Sequence, residues 1–519
     1  MVNNPKKKYF IFYLSILSLA GGAIIYLAAS RTGPGISNDA AMMLSVAGNL
    51  ANGWNLIDFR GNVLTQFPPL YPMLLSVGSL LFNQDVVNVG WILNILVFGG
   101  IIMFSGLMFW SAFSDEPIFA YIGSFVIFSS TSLIKISANI ASDPLYMLIV
   151  ILFLMSLCSY LSTGRIKYLF LAGVLIVVGC SQRYAGLSLV PTGGIVVAYK
   201  NRNNIGRAVL SVLYFIVPTA IPVFLWGYLH NFPINGSVFG SRIPFMPLLN
   251  FITGSEKLLN WFIPLQIISH VNLLLLYAVI LYPLIFAIFK TGVSEFISRI
   301  DSPLVIPHLV FLVVYIGVLI FNITPELQGP ETDRAHIILL PSLLIVLLSA
   351  GSHLLKAARE KFGPVRSSFV LILLVIIWSI YPISKTFVYI QSSLVSGDVS
   401  SYNSLNKSNI KNTAFTRYLS GLDTKDNKFY SNGEAAVWLI LRVQVHSLPS
   451  NDLGHKPTLT YIEQHYNGWP GLGNDGYLVW FNSFSSKEYL ATPDQLGTIA
   501  NLNKIYNDET GSIYYVKSR

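Results

Sequence analysis

Long apolar runs broken by short polar stretches dominate the chain. A hydrocarbon core about 30 Å thick takes ~20 helical residues to cross. Runs of that kind lie near 9–30, 86–112, 117–134, 143–162, 168–180, 184–199, 206–229, 268–290, 303–323, 335–355 and 368–388, which predicts about eleven spans. Two of them, 168–180 and 184–199, are short and separated only by Ser181-Gln182-Arg183, a spacing that predicts a tight re-entry or a broken helix pair. The first follows Lys6-Lys7-Lys8 and ends at Arg31-Thr32-Gly33-Pro34 with no small-residue cleavage site, so it reads as a retained anchor and not a cleaved signal. Polar sequence collects in 31–85, 230–267, 324–334 and a tail from Tyr389. In the tail, Ala435–Arg442, Tyr477–Phe481 and Ser512–Val516 read as strands between turn signals at Asn432-Gly433, Pro449-Ser450-Asn451-Asp452 and Gly471-Leu472-Gly473. The expected architecture is mostly α. A transmembrane bundle over 1–388, with interfacial helices in its first loop, precedes a small α/β extracytoplasmic domain over 389–519.

Composition agrees: 53% hydrophobic and 11% charged residues, with a mean hydropathy of +0.59, exclude a soluble globular protein, in which charge runs near ~25%. The net charge is +9, yet the tail balances 11 Lys/Arg against 11 Asp/Glu. The excess therefore sits between apolar segments, which fits a cytoplasmic membrane surface and not nucleic acid. With the N-terminus inside, the inner loops and their flanks carry 14 Lys/Arg against 7 in the longer outer loops, as the positive-inside rule requires. The two cysteines, Cys158 and Cys180, lie inside apolar runs and make no disulfide or zinc framework.

Candidate chemistry gathers on the outer side. Ser37-Asn38-Asp39 can cap a helix carrying Met43, Val46, Ala47 and Leu50 on one face, suited to the interface. After Gly61-Asn62 comes Thr65-Gln66-Phe67-Pro68-Pro69-Leu70-Tyr71-Pro72, then an apolar stretch to Phe82, too short to span and read as a second interfacial helix. Ser142-Asp143-Pro144 opens another span. A plain N-cap accounts for each aspartate, but two carboxylates at one face and depth also suit a functional site, since ionisable groups near the bilayer are costly. Arg183 lies between the two short apolar helices, and Glu331-Thr332-Asp333-Arg334-Ala335-His336 leads into a span with Pro341. Guanidinium groups there need anionic partners, either a bound phosphate or internal pairs such as Arg183 with Asp143 and Arg334 with Asp333. Weaker signals include Gly471-Leu472-Gly473-Asn474-Asp475-Gly476, read as a loop, the loosely spaced His455 and His465, and sequons at Asn235, Asn322 and Asn406.

These motifs, in this order and on a common face, resemble polytopic glycosyltransferases of the C fold (GT-C), such as protein O-mannosyltransferases and the aminoarabinose transferase of lipid A. The likeness runs from Asn38-Asp39 through Pro68-Pro69-Leu70-Tyr71-Pro72, Ser142-Asp143-Pro144-Leu145 and Arg183-Tyr184-Ala185-Gly186 to Asp333-Arg334 with Pro341. Two departures matter. The family's first motif is often Asp-Glu, whereas Ala40 follows Asp39 here, and Gln66-Phe67-Pro68 stands where the lipid A enzyme has a lysine beside its proline.

The resemblance implies transfer of a sugar from a polyprenyl-phosphate donor to a glycan, lipid or protein acceptor at the outer membrane face. Asp39 would be the general base, with Asp143 as a second catalytic carboxylate. Arg183 and Arg334 would take the donor phosphate, and Gln66, Tyr71, Tyr184, Asp333 and His336 would contact substrate. One base and a departing phosphate imply single displacement with inversion. The pattern names no cofactor, and it is compatible with a divalent metal. A polytopic transporter or lipid flippase without transferase chemistry is the competing expectation, and a membrane scaffold whose tail binds a partner is another.

Overall fold

The computed structural model describes residues 5–239, 302–322, 332–397, 399, 413–450, 457–484 and 489–518, together with 254, 258, 261 and 262. The expected span at 268–290, the turn residues Asn451 and Asp452, His455 and the sequon at Asn406 lie outside these. The chain divides into two compact units: one of residues 1–28, 65–71 and 91–392, the other of 29–64, 72–90 and 393–519.

The first unit is helical. It holds α1 (Pro5–Ala29), most of α4 (Val86–Ala112), α5 (Pro117–Ser129), α6 (Thr131–Ala138), α7 (Asp143–Thr163), α8 (Ile166–Gln182), α9 (Leu189–Lys200), α10 (Ile205–Pro222), α11 (Ile306–Asn322), α12 (Thr332–His336), α13 (Leu340–Phe362) and most of α14 (Pro364–Ser396). Among the described residues, six helical stretches are long and apolar enough to cross a membrane, and the pair α5–α6 makes a seventh if it is one bent span. Apolar helices at Ile166–Gln182 and Ile306–Phe321 are shorter, so the span count from hydropathy alone exceeds what length supports in the described part.

Local chemistry sets the breaks that shape this unit. α5 and α6 meet at 46°, where Ser130 turns extended and accepts the Leu133 amide at 3.4 Å, a capping bond that starts a new helix. α7 is apolar around its whole circumference and most of its residues are buried, as a helix at the centre of a bundle must be. α8 stops at Arg183, whose backbone is extended, and a 3₁₀ turn over Tyr184–Ser188 follows. That turn presses on α8: a Cβ on Gly186 would stand 2.3 Å from the Gly179 carbonyl carbon. Glycine is required by this backbone contact. Pro218 and Pro222 interrupt the ladder of α10, and the chain continues as a π-helical segment, Val223–Asn231.

The second unit contains α2 (Asn38–Gly53), most of α3 (Leu70–Phe82) and the C-terminal sheet. Ser37 caps α2 through the Ala40 amide, and Met43, Val46, Ala47 and Leu50, the predicted apolar face, are buried. The sheet has β1 (Lys428–Ser431), β2 (His446–Ser447), β3 (Gly476–Phe481), β4 (Asn501–Asn507) and β5 (Gly511–Lys517) in the order β2-β1-β3-β5-β4. β1 runs parallel to β2 and β3, whereas β5 is antiparallel to β3 and β4. The expected strands at 477–481 and 512–516 are β3 and β5. The expected strand at 435–442 is instead a helix, α15 (Glu434–Leu441), closed by Arg442 in the left-handed conformation at φ 58°. A short apolar run has no decisive period, and the Ser431-Asn432-Gly433 turn after β1 releases it into a helix. α15 also anchors the first loop. Arg60 grips Glu434 through Nη2 at 2.7 Å and Nε at 2.9 Å, and the Val445 amide donates to the Phe59 carbonyl at 2.8 Å.

Two consequences are measurable. Gly186→Ala is expected to lower stability by at least about 1–3 kcal/mol, the cost of overpacking against an unyielding backbone, read by thermal unfolding of the purified chain; an unchanged midpoint contradicts the contact. In the sheet, burial and then the Lys428 ammonium hold the His446 imidazole below its ordinary value of 6.5. The unfolded chain then takes the proton first, so this group costs nothing well above that pH and destabilises the fold as pH falls below it. The protection factors of the β1 and β2 amides, corrected for the intrinsic exchange rate, should fall between about pH 7.5 and 5.5, and His446→Asn should remove that loss.

Candidate active site

The site is built where α7 begins. Pro144 at the first helical position and Asp143 in the first turn suit a helix start, by fixed φ and by charge against the dipole. Asp143 is nevertheless buried, its side chain only 1% exposed, so its charge needs more than a helix end. Arg183 Nη1 stands 2.7 Å from Asp143 Oδ1, and Arg334 Nε stands 3.3 Å from Oδ2. One carboxylate is thus held between two guanidinium groups. The arginines stay partly accessible, at 25% and 14%.

Each partner is placed by a specific local feature. The extended backbone at Arg183, the last residue before the 3₁₀ turn, sends its side chain across to α7, where Nη1 also donates to Ser142 Oγ at 3.1 Å. Gln182 donates from Nε2 to the Ser142 carbonyl at 3.0 Å. Arg334 comes from α12, and its neighbour Asp333 accepts the Ser132 hydroxyl at 3.2 Å. Tyr184 donates to the Thr65 carbonyl at 2.7 Å and accepts from Asn231 Nδ2 at 2.7 Å and Trp226 Nε1 at 3.2 Å. Tyr146 donates to the Ala185 carbonyl at 2.9 Å and Tyr315 to the Ala335 carbonyl at 3.2 Å. These two buried phenols tie the Arg183 and Arg334 segments to their neighbours.

Of the residues expected from sequence, Asp143, Arg183 and Arg334 meet directly, with Tyr184 and Asp333 beside them. Tyr71 is buried, donates to Asn94 Oδ1 at 3.4 Å, and feels the Asp143 charge. His336 is buried on α12, so close to Gly254 that a Cβ there would lie 2.6 Å from its Nε2. Gln66 is exposed. Asp39 belongs to the second unit, at the first turn of α2. Arg334 pairs with Asp143, where sequence spacing suggested Asp333. Sequence reading assigned no role to Gln182, Ser132, Asn231, Tyr146 or Tyr315. Asn231, fully buried at the end of an apolar run, carried the one usable signal, a polar group at membrane depth.

Beside Tyr184 lies a cavity of about 700 Å³, partly open to solvent, lined mainly by apolar groups including Pro69, Leu187, Pro222, Leu225, Trp226 and Phe239. Among the described residues no three His, Cys, Asp or Glu side chains gather to hold a metal. The Asp143 carboxylate, engaged by two arginines, is a poor donor for one.

No family model and no curated protein matches this chain. Solved structures do. ArnT from Cupriavidus metallidurans bound to undecaprenyl phosphate is similar at TM-score 0.62 and 11% identity, over 96% of this chain and 97% of that one. Its apo structure gives TM-score 0.61 and 12% identity over the same shares. The likeness at this identity is one of fold: the chain has the GT-C fold, with several apolar helices suited to a multi-pass membrane protein.

Removing the carboxylate leaves two guanidiniums facing each other. Asp143→Asn is therefore expected to destabilise the chain by on the order of 3 kcal/mol, and Asp143→Asn with Arg183→Gln by less than Asp143→Asn alone. Thermal unfolding of the three proteins checks this, and equal losses in both variants would show the pair to be energetically unimportant.

Proposed function

We propose that the chain is a membrane glycosyltransferase that moves a sugar from a polyprenyl-phosphate donor to an acceptor hydroxyl or similar nucleophile. The observation that carries this reading is the joining of Asp143, Arg183 and Arg334 from three separated segments within a fold that ArnT, crystallised with undecaprenyl phosphate, shares along nearly its whole length.

The chemistry follows from charge. One carboxylate against two guanidiniums leaves positive charge at this cluster, and the partly exposed Arg183 keeps donors for a second anion. As the glycosidic bond breaks, the departing lipid phosphate gains negative charge. Donors already oriented by Asp143 stabilise that charge without reorganising. Asp143 on this view positions the arginines. Asp39 is the general base, taking the acceptor proton as the new bond forms at the anomeric carbon, and a single displacement inverts that carbon. The apolar cavity beside Tyr184 suits the first isoprene units of the donor. The positive-inside count supports a cytoplasmic N-terminus, with the C-terminal sheet and the chemistry on the outer side. Hexose and pentose donors fit equally at this level.

With purified protein and a labelled polyprenyl-phosphate sugar, the wild type is expected to release polyprenyl phosphate when an acceptor is supplied. Asp39→Asn should slow release by about 10²-fold or more while binding the donor normally and unfolding at an unchanged temperature. Wild-type turnover in the Asp39→Asn protein would refute the assignment of the base.

A further inference from the structure

A second cluster of cations lies at the bend between α5 and α6, and the arginine site does not use it. Lys135 near the end of α6 and Lys385 on α14 are near enough to repel one another, and the Asp333 carboxylate offsets part of the Lys135 charge. Lys135 Nζ stands 5.5 Å over the Tyr389 ring and Lys385 Nζ 4.4 Å over the Tyr381 ring, with Lys385 also donating to the Tyr381 hydroxyl. Among the described residues neither lysine forms an ion pair. By contrast, Arg183 and Arg334 already share Asp143. Two ammonium groups against the one Asp333 carboxylate leave positive charge in this region.

A cavity of about 410 Å³, partly open to solvent, reaches Lys385, lined by Ser130, Thr131 and Ser132 at the start of α6, by Trp261 and Phe262, and by Trp378, Tyr381, Pro382 and Lys385 of α14. Several of its acceptors are already engaged: the Pro382 carbonyl takes the Thr131 hydroxyl at 3.2 Å, the Phe262 carbonyl takes the Trp378 indole at 2.8 Å, the Tyr381 oxygen takes Lys385, and Asp333 beside the wall takes the Ser132 hydroxyl at 3.2 Å. Two of its side-chain donors are not. The Trp261 indole N–H is buried without a partner among the described residues. Ser130 accepts the Leu133 amide and keeps its O–H. The first-turn amides of α6 lie at the same wall, where a helix start favours negative charge. Unengaged donors beside two ammonium groups that form no ion pair suit an anion.

We propose that this cavity is a phosphate-ester subsite, taking the phosphate of a lipid through Lys385, Lys135, the Ser130 hydroxyl and the Trp261 indole. The exposed position of Lys385 suits headgroup depth, where lysine keeps its charge in water while its stem packs on apolar surface. The phosphate comes either from polyprenyl phosphate or from bulk phospholipid. The subsite stands on charge and cavity alone; only its assignment to the donor rests on the transferase reading.

The test uses the full chain in phosphatidylcholine nanodiscs, titrated with farnesyl phosphate and with farnesol as the uncharged control. Farnesyl phosphate is expected to bind the wild type and farnesol to bind far more weakly. Lys135→Gln with Lys385→Gln should weaken farnesyl phosphate by about tenfold or more, the scale of a lost charge-assisted bond, and Lys385→Arg should retain most of it. If nanodiscs of phosphatidylglycerol lower the wild-type affinity and leave the double variant unchanged, bulk phospholipid is the resident. If they do not, the site holds polyprenyl phosphate. Unchanged affinity in a folded double variant, with Arg183→Gln alone weakening binding, overturns the subsite. That result leaves the transferase reading intact, which falls only on the separate turnover measurement with Asp39→Asn.

Discussion

A carboxylate at 1% exposure inside a helical bundle cannot stay charged without compensation, and the organisation of the first unit follows from how Asp143 obtains it. Two guanidiniums reach it from segments 40 and 191 residues away along the chain. For Arg183 to reach across, α8 must end at that residue and the chain must turn tightly back. The turn is feasible because Gly186 lies on the backbone of Gly179 with no side chain between them. For Arg334 to arrive, the short helix α12 must stand beside α7, held through the Tyr315 hydroxyl on the Ala335 carbonyl.

The same arrangement explains why the site is polar at one end of an otherwise apolar helix. α7 carries no charged residue beyond its first turn, so its interior is settled by packing alone. Around its start, hydroxyl, amide and phenol groups donate to backbone carbonyls of the joining segments: Gln182 to Ser142, Tyr146 to Ala185, Tyr184 to Thr65. In a medium with little water these bonds are hard to exchange, which fixes the arginines in place before any ligand arrives. In the proposed reaction phosphate departure gains from that rigidity, because no reorganisation is needed as charge develops.

In the second unit the constraint is different. The sheet has its own apolar core around Tyr430, Leu478, Trp480 and Val516, and the first loop is fastened to α15 by Arg60 with Glu434 and to Val445 beyond it by the Phe59 carbonyl. α2, which carries Asp39, has its apolar face buried, and its Ser45 hydroxyl accepts the Phe59 amide at 3.0 Å. The base of the proposed reaction is therefore supported by the C-terminal domain through a short chain of contacts: α15, the 58–61 turn, α2.

Sequence by itself determined the mostly helical membrane character, the starts of α2 and α7, and the residue types at the candidate site. Each rests on local physics: run length against bilayer thickness, capping side chains, and proline at a helix start. It also singled out Asp143, Arg183 and Arg334 as charges that need partners. Which of them pair was left to the tertiary structure, since Arg334 passes over its neighbour Asp333 to reach Asp143. So was the helical state of Glu434–Leu441, where a short apolar run suits strand or helix and the turn before it and the neighbours that bury it decide. Partner choice and burial are long-range quantities, set by which segments the packed bundle brings together, and no window along the chain contains them.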